Sequence, residues 1–383
     1  MTNLNYVFLR QLLLIFGLFI GLSFQTFSQS SDNNSQKSSV WSTRPNFTGL
    51  YFDQDLFVSN NEDRDYTMGL GFNFSVASDA NVLWRLTEPV DEFLHIDEIR
   101  SKHFPDSSTY NTSIGIAAFT PDDLAAEDPI LDDRPYSSIL SFSWLHTSVD
   151  REGKRSLTTQ FTIGIIGIPG IAERPQTWFH QAYRKAADKD TPVDPQGWDN
   201  QISDGGEPTA LYALSLQQEL YTLETNEEQK FLELTSTLGG SIGYYTMAQA
   251  GVQARLGLIN SAFYSHDINP GSSINKSRND ASAKYKYMLN TQPKNLELYL
   301  FVRYTGYAVG YNALLQGQFF DSEHELNASE LEPFFYEEQY GAAFRYKSIR
   351  VSYSEITRSE EHELTQAREH SWGSLQVECR IPF

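Results

Sequence analysis

The sequence predicts an all-β protein, a transmembrane antiparallel β-barrel of about twelve strands with a short loop helix near residues 175–188. Three observations support this fold class. Apolar and polar residues alternate with a period of two in several segments. No stretch beyond residue 30 approaches the length of an apolar membrane-spanning helix. The chain also ends on an amphipathic segment whose last residue is Phe383, as expected for the final strand of a bacterial outer-membrane barrel.

The N-terminal residues indicate export. After Arg10, residues 12–24 are apolar and uncharged and lead to small residues at Thr26 and Ser28, which is the order of a secretory signal peptide. We therefore predict a signal peptide at residues 1–28. An N-terminal membrane helix is the alternative, but its apolar core would be shorter than the roughly 20 residues that a span needs.

The rest of the chain divides into two parts. Residues 29–46 are polar, rich in Ser and Asn and without periodicity, which predicts a flexible N-terminal extension. Residues 47–383 show no composition shift that would mark a second domain, so we assign them to one outer-membrane β-barrel. Polar stretches at residues 59–65, 265–282 and 322–332 predict turns and surface loops.

The clearest predicted strand runs from Leu296 to Tyr304. Its even-numbered residues are apolar, whereas Glu297 and Arg303 lie on the other face together with two aromatic residues, Tyr299 and Phe301. The same alternation recurs at residues 70–76, 232–238 and 375–383, where Cys379 is expected to face lipid. A half-buried strand of a secreted β-sandwich has the same period. The 21 Tyr and 25 Phe favour the barrel, whose membrane interfaces carry aromatic girdles.

Charge and cysteine content exclude other classes of protein. The formal net charge of -20 argues against a nucleic-acid partner. The single cysteine cannot form an internal disulfide or supply a cysteine-rich zinc site.

Two segments do not look like barrel wall. The first joins Asp53, Gln54 and Asp55 at the end of one strand to Thr67 near the start of the next. Carboxylate, hydroxyl and backbone oxygens are the ligands that calcium prefers, so Asp55 and Thr67 are candidate metal ligands. An acidic hairpin turn without a metal is the alternative.

The second segment is the predicted helix. Pro175 suits a first helical turn, and Gln176 and His180 then lie one turn apart on the same face. A histidine can take a proton from water near neutral pH, so His180 is a candidate general base. A histidine packed among Trp178, Phe179 and other aromatic residues is the alternative. The remaining histidines are expected at the surface, namely His95, His103, His146, His266, His324, His362 and His370.

Several motifs in one order resemble the outer-membrane lipid A 3'-O-deacylase family, of the LpxR type. They are Asp53-Gln54-Asp55-Leu56-Phe57, Asp63-Arg64-Asp65-Tyr66-Thr67-Met68-Gly69, Thr120-Pro121-Asp122-Asp123, Asp133-Arg134-Pro135-Tyr136, residues 176–180, Gly197-Trp198-Asp199-Asn200-Gln201, residues 358–366 and Trp372-Gly373-Ser374. Each motif is weak alone, and the set is specific because all of them run in register from residue 50 to the end.

The resemblance implies a twelve-stranded barrel of the bacterial outer membrane that removes the 3'-linked acyloxyacyl chain from lipid A, or lipopolysaccharide, by Ca2+-dependent ester hydrolysis. His180 then matches the general base and Gln176 the glutamine one turn before it. Asp55 matches the acidic residue tied to the calcium site, and Thr67 matches the hydroxyl residue of the family's Tyr-Thr-Asn-Gly motif. A monomer is expected.

The chain departs from the family pattern at two positions. Gln54 replaces an asparagine in a Glu-Asn-Asp motif, and Met68 replaces the asparagine after Thr67. A shift of about 1 Å in a site can lower a rate on the order of a hundredfold, so a catalytically silent lipid-binding or structural barrel is an alternative. A diffusion channel is disfavoured because Tyr299 and Phe301 predict a filled interior. The family's active-site lysine has two candidates here, Arg100 and Lys102, and Glu173 is a possible second acid.

Overall fold

The computed structural model describes residues 47–58, 64–76, 85–105, 107–188, 192–225, 229–265, 296–347 and 349–380. The predicted signal peptide, the extension at residues 29–46, His266 and Phe383 lie outside these ranges. Within them, twelve antiparallel strands form a closed barrel in which each strand pairs with its neighbours in sequence and β1 pairs with β12. This confirms the predicted fold class.

The strands are β1 (Phe47–Gln54), β2 (Asp65–Val76), β3 (Ser107–Thr120), β4 (Ser137–Val149), β5 (Arg155–Ile166), β6 (Glu207–Glu224), β7 (Lys230–Gly243), β8 (Tyr245–Ile259), β9 (Leu296–Asn312), β10 (Phe334–Tyr346), β11 (Ile349–Arg358) and β12 (His370–Arg380). The helices are α1 (Glu88–Phe93), α2 (Ile96–His103), α3 (Glu173–Ala187) and α4 (Ala313–Gln316). Among the described residues, no helix is long and apolar enough to cross a membrane.

The two ends of the barrel differ in their loops. The loops that follow odd-numbered strands lie at one end, which we call the first mouth, and those that follow even-numbered strands lie at the second mouth, together with the start of β1 and the end of β12. The first mouth carries α3 and α4. The second mouth carries α1 and α2.

Side-chain alternation follows the predicted pattern. On β9, Leu298 and Leu300 are 54% and 61% exposed, whereas Tyr299 and Phe301 are buried inside the barrel. The interior also holds buried ion pairs such as Arg345 with Glu297 and Arg350 with Glu378. The prediction of a filled interior is therefore confirmed for these positions. On β12, Gln376 and Glu378 are buried and Leu375 and Val377 are partly exposed, as the alternation requires.

The loop helix near residues 175–188 is also present, as α3 (Glu173–Ala187), with Pro175 in its first turn. The expectation of surface histidines is wrong in four cases, because His146, His324, His362 and His370 are all buried. Two of them, His324 and His362, lie in loops that fold over the first mouth, and His146 lies under α1 and α2. Asp65, predicted as part of a turn, is instead the first residue of β2 and is buried.

Helices cover two patches of the outer wall. On β2 the outward set is Leu70, Phe72 and Phe74, and Met68 belongs to the same set but is only 4% exposed. Met68 is covered because it packs with Trp198 and Ala172, in the segment around α3. The second covered patch lies at the other end of the barrel, where α1 and α2 contact β4, β5 and β6.

Candidate functional site

The end of β1 supplies the first part of the candidate site. Gln54 pairs with Met68 on one side and with Gly373 on the other, and a 3-10 turn (Asp55–Phe57) follows it. The amide nitrogen Nε2 of Gln54 donates to Asp55 Oδ1 over 2.8 Å. The other amide atom, Gln54 Oε1, is buried and has no hydrogen-bond partner among the described residues. It is an oxygen donor placed beside a carboxylate, so this corner of the site can accept a cation.

Thr67 supplies the second part, from β2. The pairing of β2 with β3 shifts between Tyr66 and Met68, so Thr67 is the extra residue of a β-bulge. A bulge re-aims a side chain relative to the regular alternation. Thr67 is fully buried, and its Oγ1 accepts a hydrogen bond of 3.2 Å from Gln176 Nε2 on α3. The bulge thus joins the barrel wall to the helix.

Helix α3 lies over this part of the wall because its buried face has specific partners. Gln176 Oε1 accepts from Trp198 Nε1 over 3.0 Å, so Gln176 bridges Thr67 and Trp198. Phe179 packs edge-on against Phe52, with ring centroids 5.8 Å apart. The helix therefore rests on residues of the outward set of β1.

His180 lies one turn after Gln176 on this buried face. Its Nδ1 is 2.8 Å from the carbonyl oxygen of Val193, which can only accept, so Nδ1 carries the proton. In the neutral ring, Nε2 then holds the lone pair. Arg184 fixes the segment of Val193 by an ion pair of 2.8 Å with Asp194, and this hydrogen-bonded contact lowers the pKa of the Asp194 carboxyl.

Three residues beside the site were not among the site residues predicted from the sequence, although each lies in one of the motifs. Asp53 is fully buried and accepts hydrogen bonds from Ser374 Oγ over 2.6 Å and from Tyr66 OH over 2.8 Å. Tyr66 reaches Asp53 by crossing Gly69, where any Cβ would collide with the Tyr66 hydroxyl. Sequence spacing gave no sign of these contacts, because Ser374 belongs to β12 and meets β1 only where the barrel closes.

A buried charge network lies in the loops of the first mouth. Asp65, Asp133 and His362 bring possible metal-ligand atoms within 4.8 Å of one another, but Arg368 already forms ion pairs with both carboxylates, at 3.0 and 3.2 Å. Burial would raise the pKa of Glu361, but Arg358 and Arg134 outweigh burial and lower that pKa to about 2. Burial lowers the pKa of the His362 imidazole to about 4, with Arg134 acting in the same direction.

The predicted site residues fall into two groups. Five lie together in and under α3 and are at most 1% exposed: Gln54, Asp55, Thr67, Gln176 and His180. Glu173 is exposed at the start of α3 and does not belong with them. Arg100 and Lys102 are wrong as candidates for a lysine of this site, because they lie in α2 at the second mouth, where Arg100 is paired with Asp91.

Comparisons with known proteins found a family profile and solved structures that are similar to this chain. A sequence profile described as "LpxR: Outer membrane protein LpxR" matches residues 14–381. Among solved structures, the chain is similar to LpxR from Salmonella typhimurium, with 15% identity, a TM-score of 0.63 and coverage of 88% of this chain and 100% of that one. The β domain of the Bordetella autotransporter BrkA also matches, with 9% identity, a TM-score of 0.36 and coverage of 88% and 98%. A comparison with curated proteins found no match.

Proposed function

Because the chain belongs to the LpxR family of outer-membrane proteins, we propose that it is a lipid A deacylase that removes the 3'-linked acyloxyacyl chain by Ca2+-dependent ester hydrolysis. The observation that carries this proposal is the group of five buried side chains between the outer barrel wall and α3. A site on the outer wall can take its substrate directly from the lipid of the membrane.

His180 is the proposed general base. The Val193 carbonyl holds the proton on Nδ1, so Nε2 can take a proton from a water molecule as that water attacks the ester carbonyl. The carbonyl becomes a tetrahedral oxyanion, and its collapse breaks the bond to the sugar oxygen. The proton then passes from Nε2 to that leaving oxygen, and the fatty acid and the sugar hydroxyl are released. No covalent intermediate on the protein is needed.

Three side chains fit a calcium ion by the chemistry of their donors. Gln54 Oε1, the Asp55 carboxylate and Thr67 Oγ1 are all oxygens, and the first is buried without a hydrogen-bond partner among the described residues. When bound, calcium would supply positive charge that stabilises the oxyanion. Gln176 keeps the Thr67 hydroxyl oriented by donating to it, and Trp198 fixes Gln176 in turn.

The departures at Gln54 and Met68 do not remove these donors. Gln54 still presents an amide oxygen, although one methylene further from its backbone than asparagine would. Met68 packs in an apolar cluster with Trp198 and Tyr136, so its side chain is part of the apolar surface beneath α3. The donor set of the proposed calcium site is therefore retained in this chain.

Substrate entry requires α3 to move, because the five side chains are buried. The contacts that would have to loosen are the Phe52–Phe179 pair and the Trp198–Gln176 hydrogen bond. Trp178, in contrast, is 59% exposed on the opposite side of the helix, where it can stay in contact with lipid during such a movement.

Mass spectrometry of lipid A tests the proposal. Lipid A would be extracted from a Gram-negative host that expresses the wild type, His180→Ala, or His95→Ala as a matched control at an exposed histidine of the second mouth. We expect loss of the 3'-acyloxyacyl mass with the wild type and the control, and none with His180→Ala. The purified wild type should lose activity in a calcium chelator and regain it with added calcium. Unchanged lipid A with folded wild-type protein and calcium would contradict the proposal.

A further inference from the structure

The outer wall near the second mouth carries a polar patch. The register of β3, β4 and β5 is unbroken, so the outward parity of Phe142 extends along β4 to His146 and Ser148. Their cross-strand partners are Tyr110, Ser108 and Thr159, which therefore also face outward. A polar side chain that faces lipid at such a position costs free energy, unless other groups of the protein hydrogen-bond to it or it has a function.

Helices α1 and α2 supply hydrogen-bond partners to part of this patch. Asp91 Oδ2 accepts from Thr159 Oγ1 over 2.8 Å and from Arg100 Nη2 over 3.1 Å, and Asp91 Oδ1 accepts from Tyr212 OH over 2.8 Å. Arg100 also donates to Ser148 Oγ over 2.8 Å. The carboxylate of Asp91 is thereby fixed at 2% exposure beside the ring of His146.

Ser108, His146 and Asp91 lie in the order of a nucleophile, a base and an acid. His146 Nε2 is 3.0 Å from Ser108 Oγ, and His146 Nδ1 is 3.5 Å from Asp91 Oδ2. The ring of Tyr110 stacks on the imidazole at 4.5 Å and fixes its plane. Exposure increases along the series, from the buried Asp91 and His146 to a partly exposed Ser108. The contact between Nδ1 and Oδ2 is not a hydrogen bond at this length, and it would tighten when a substrate binds, as catalytic contacts often do.

The direction of the neighbouring hydrogen bonds favours a reactive Ser108. Arg100 donates to Ser148 Oγ, which leaves the Ser148 hydroxyl hydrogen for Ser108 Oγ, 3.0 Å away. The Ser108 hydrogen can then point to His146 Nε2.

We propose that Ser108, His146 and Asp91 form a second catalytic site, which hydrolyses a carboxylic acyl ester of a membrane lipid in the leaflet that borders the second mouth. The substrate class follows from the position on the outer wall near the ends of β3 and β4, where the ester groups of bilayer lipids lie. Exposed apolar side chains at Phe93, Leu94 and Ile99 on and beside the covering helices offer contacts for the acyl chain.

The reaction follows the serine-hydrolase scheme. Ser108 Oγ bonds to the ester carbonyl carbon as its proton moves to His146 Nε2, and Asp91 stabilises the resulting imidazolium. The bond to the alcohol oxygen of the lipid breaks, and that oxygen takes the proton from Nε2. Water then attacks the acyl-Ser108 ester with His146 again as base, which releases the fatty acid and restores the serine.

Labelling by a fluorophosphonate probe tests the nucleophile. The full-length protein, folded in detergent micelles, would be treated with the probe and digested, and the modified peptide identified by mass spectrometry. We expect an adduct on Ser108 that is absent in Ser108→Ala and forms at least about a hundredfold more slowly in His146→Asn. Ser101→Ala, at an exposed serine of α2, is the matched control and should label as the wild type does. Retention of the heat-modifiable band of a closed barrel shows that each variant is folded.

Vesicles without lipid A separate this activity from the proposed deacylase. The protein would be reconstituted into vesicles of phosphatidylethanolamine and phosphatidylglycerol, and free fatty acid measured. Release that persists in His180→Ala and in a calcium chelator, and is lost in Ser108→Ala, is the expected result. A folded wild type that gives no Ser108 adduct and no fatty acid would overturn the second site, whatever the lipid A assay shows.

Discussion

The barrel covers two patches of its outer wall with helices, and the two covers differ in what they hold. At the first mouth, α3 touches the wall through neutral groups, the amide of Gln176 and the ring of Phe179. At the second mouth, α1 and α2 touch it through an ion pair, Asp91 with Arg100, that is tied to three strands. Neutral contacts can separate and reform at low cost, whereas the charged groups of Asp91 and Arg100 hydrogen-bond to three strands at once and are costly to leave buried without those partners.

The difference implies two modes of access to the proposed sites. We infer that the first cover opens for a bulky substrate that must reach fully buried groups. The second cover is a fixed part of the wall, and its serine is already partly exposed. Both covers shield polar side chains of the outer barrel wall from the hydrocarbon of the membrane, where unsatisfied polar groups are costly.

The largest loss of stability is expected when the Asp91–Arg100 ion pair of α1 and α2 is broken. Asp91→Ala leaves Arg100 buried without its carboxylate, which typically costs about 3–5 kcal/mol. We expect the urea midpoint of unfolding in lipid vesicles to fall accordingly, while Asp97→Ala, at an exposed position of α2, should leave it unchanged. An Asp91→Ala barrel as stable as the wild type would mean that α1 and α2 are loosely attached.

Acid should weaken the loops of the first mouth. The pKa of Glu361 is lowered from an ordinary 4.5 to about 2, so its stabilisation is complete above 4.5 and is lost as the pH falls towards 2. The difference corresponds to on the order of 3 kcal/mol. The pKa of His362 is also lowered, from 6.5 to about 4, so this buried neutral ring loses stability over that range as the pH falls.

Unfolding free energies measured from pH 7 to pH 3 check both contributions. His362→Gln should flatten the part of the curve between pH 6.5 and 4, and Glu361→Gln the part below it. Identical pH slopes in the wild type and both variants would contradict the assignment to these loops.

A smaller loss of stability and activity is expected when a contact that holds α3 is removed. Trp198→Phe removes the hydrogen bond to Gln176 and keeps most of the packing, which should cost about 1 kcal/mol of stability. We expect lipid A deacylation to fall roughly tenfold, because Gln176 then orients Thr67 less well. Trp178→Phe, on the exposed side of α3, is the control and should change neither quantity. Full activity in Trp198→Phe would show that Trp198 does not position Gln176.

The sequence predicted the wall of the barrel better than its covers. Alternation on β9 and β12 is local, so it can be recognised from neighbouring residues, and the turn between Gln176 and His180 follows from helical spacing alone. His146 was expected at the surface because nothing in its own strand shows that a segment some fifty residues earlier would cover it. The contact depends on the closed barrel bringing β4, β5 and β6 under α1 and α2.

The wrong placement of Arg100 has a related cause. Its region of the sequence matched that of the family's lysine, but most of strand β2 lies between Thr67 and Arg100, and each strand carries the chain to the other mouth. Counting strands would have assigned Arg100 and Lys102 to the second mouth. Motif order alone does not contain that information.

The closure of the barrel has a consequence for when the proposed deacylase can act. Asp53 on β1 is held by Ser374 on β12, and Gln54 pairs with Gly373 on the same strand, so the first and last strands meet beside the candidate site. Before the barrel closes these strands are separate, so the proposed cation-binding corner is not yet formed. The chain would therefore acquire its proposed activity only when β1 pairs with β12 in the membrane, and a chain still in transit would be inactive.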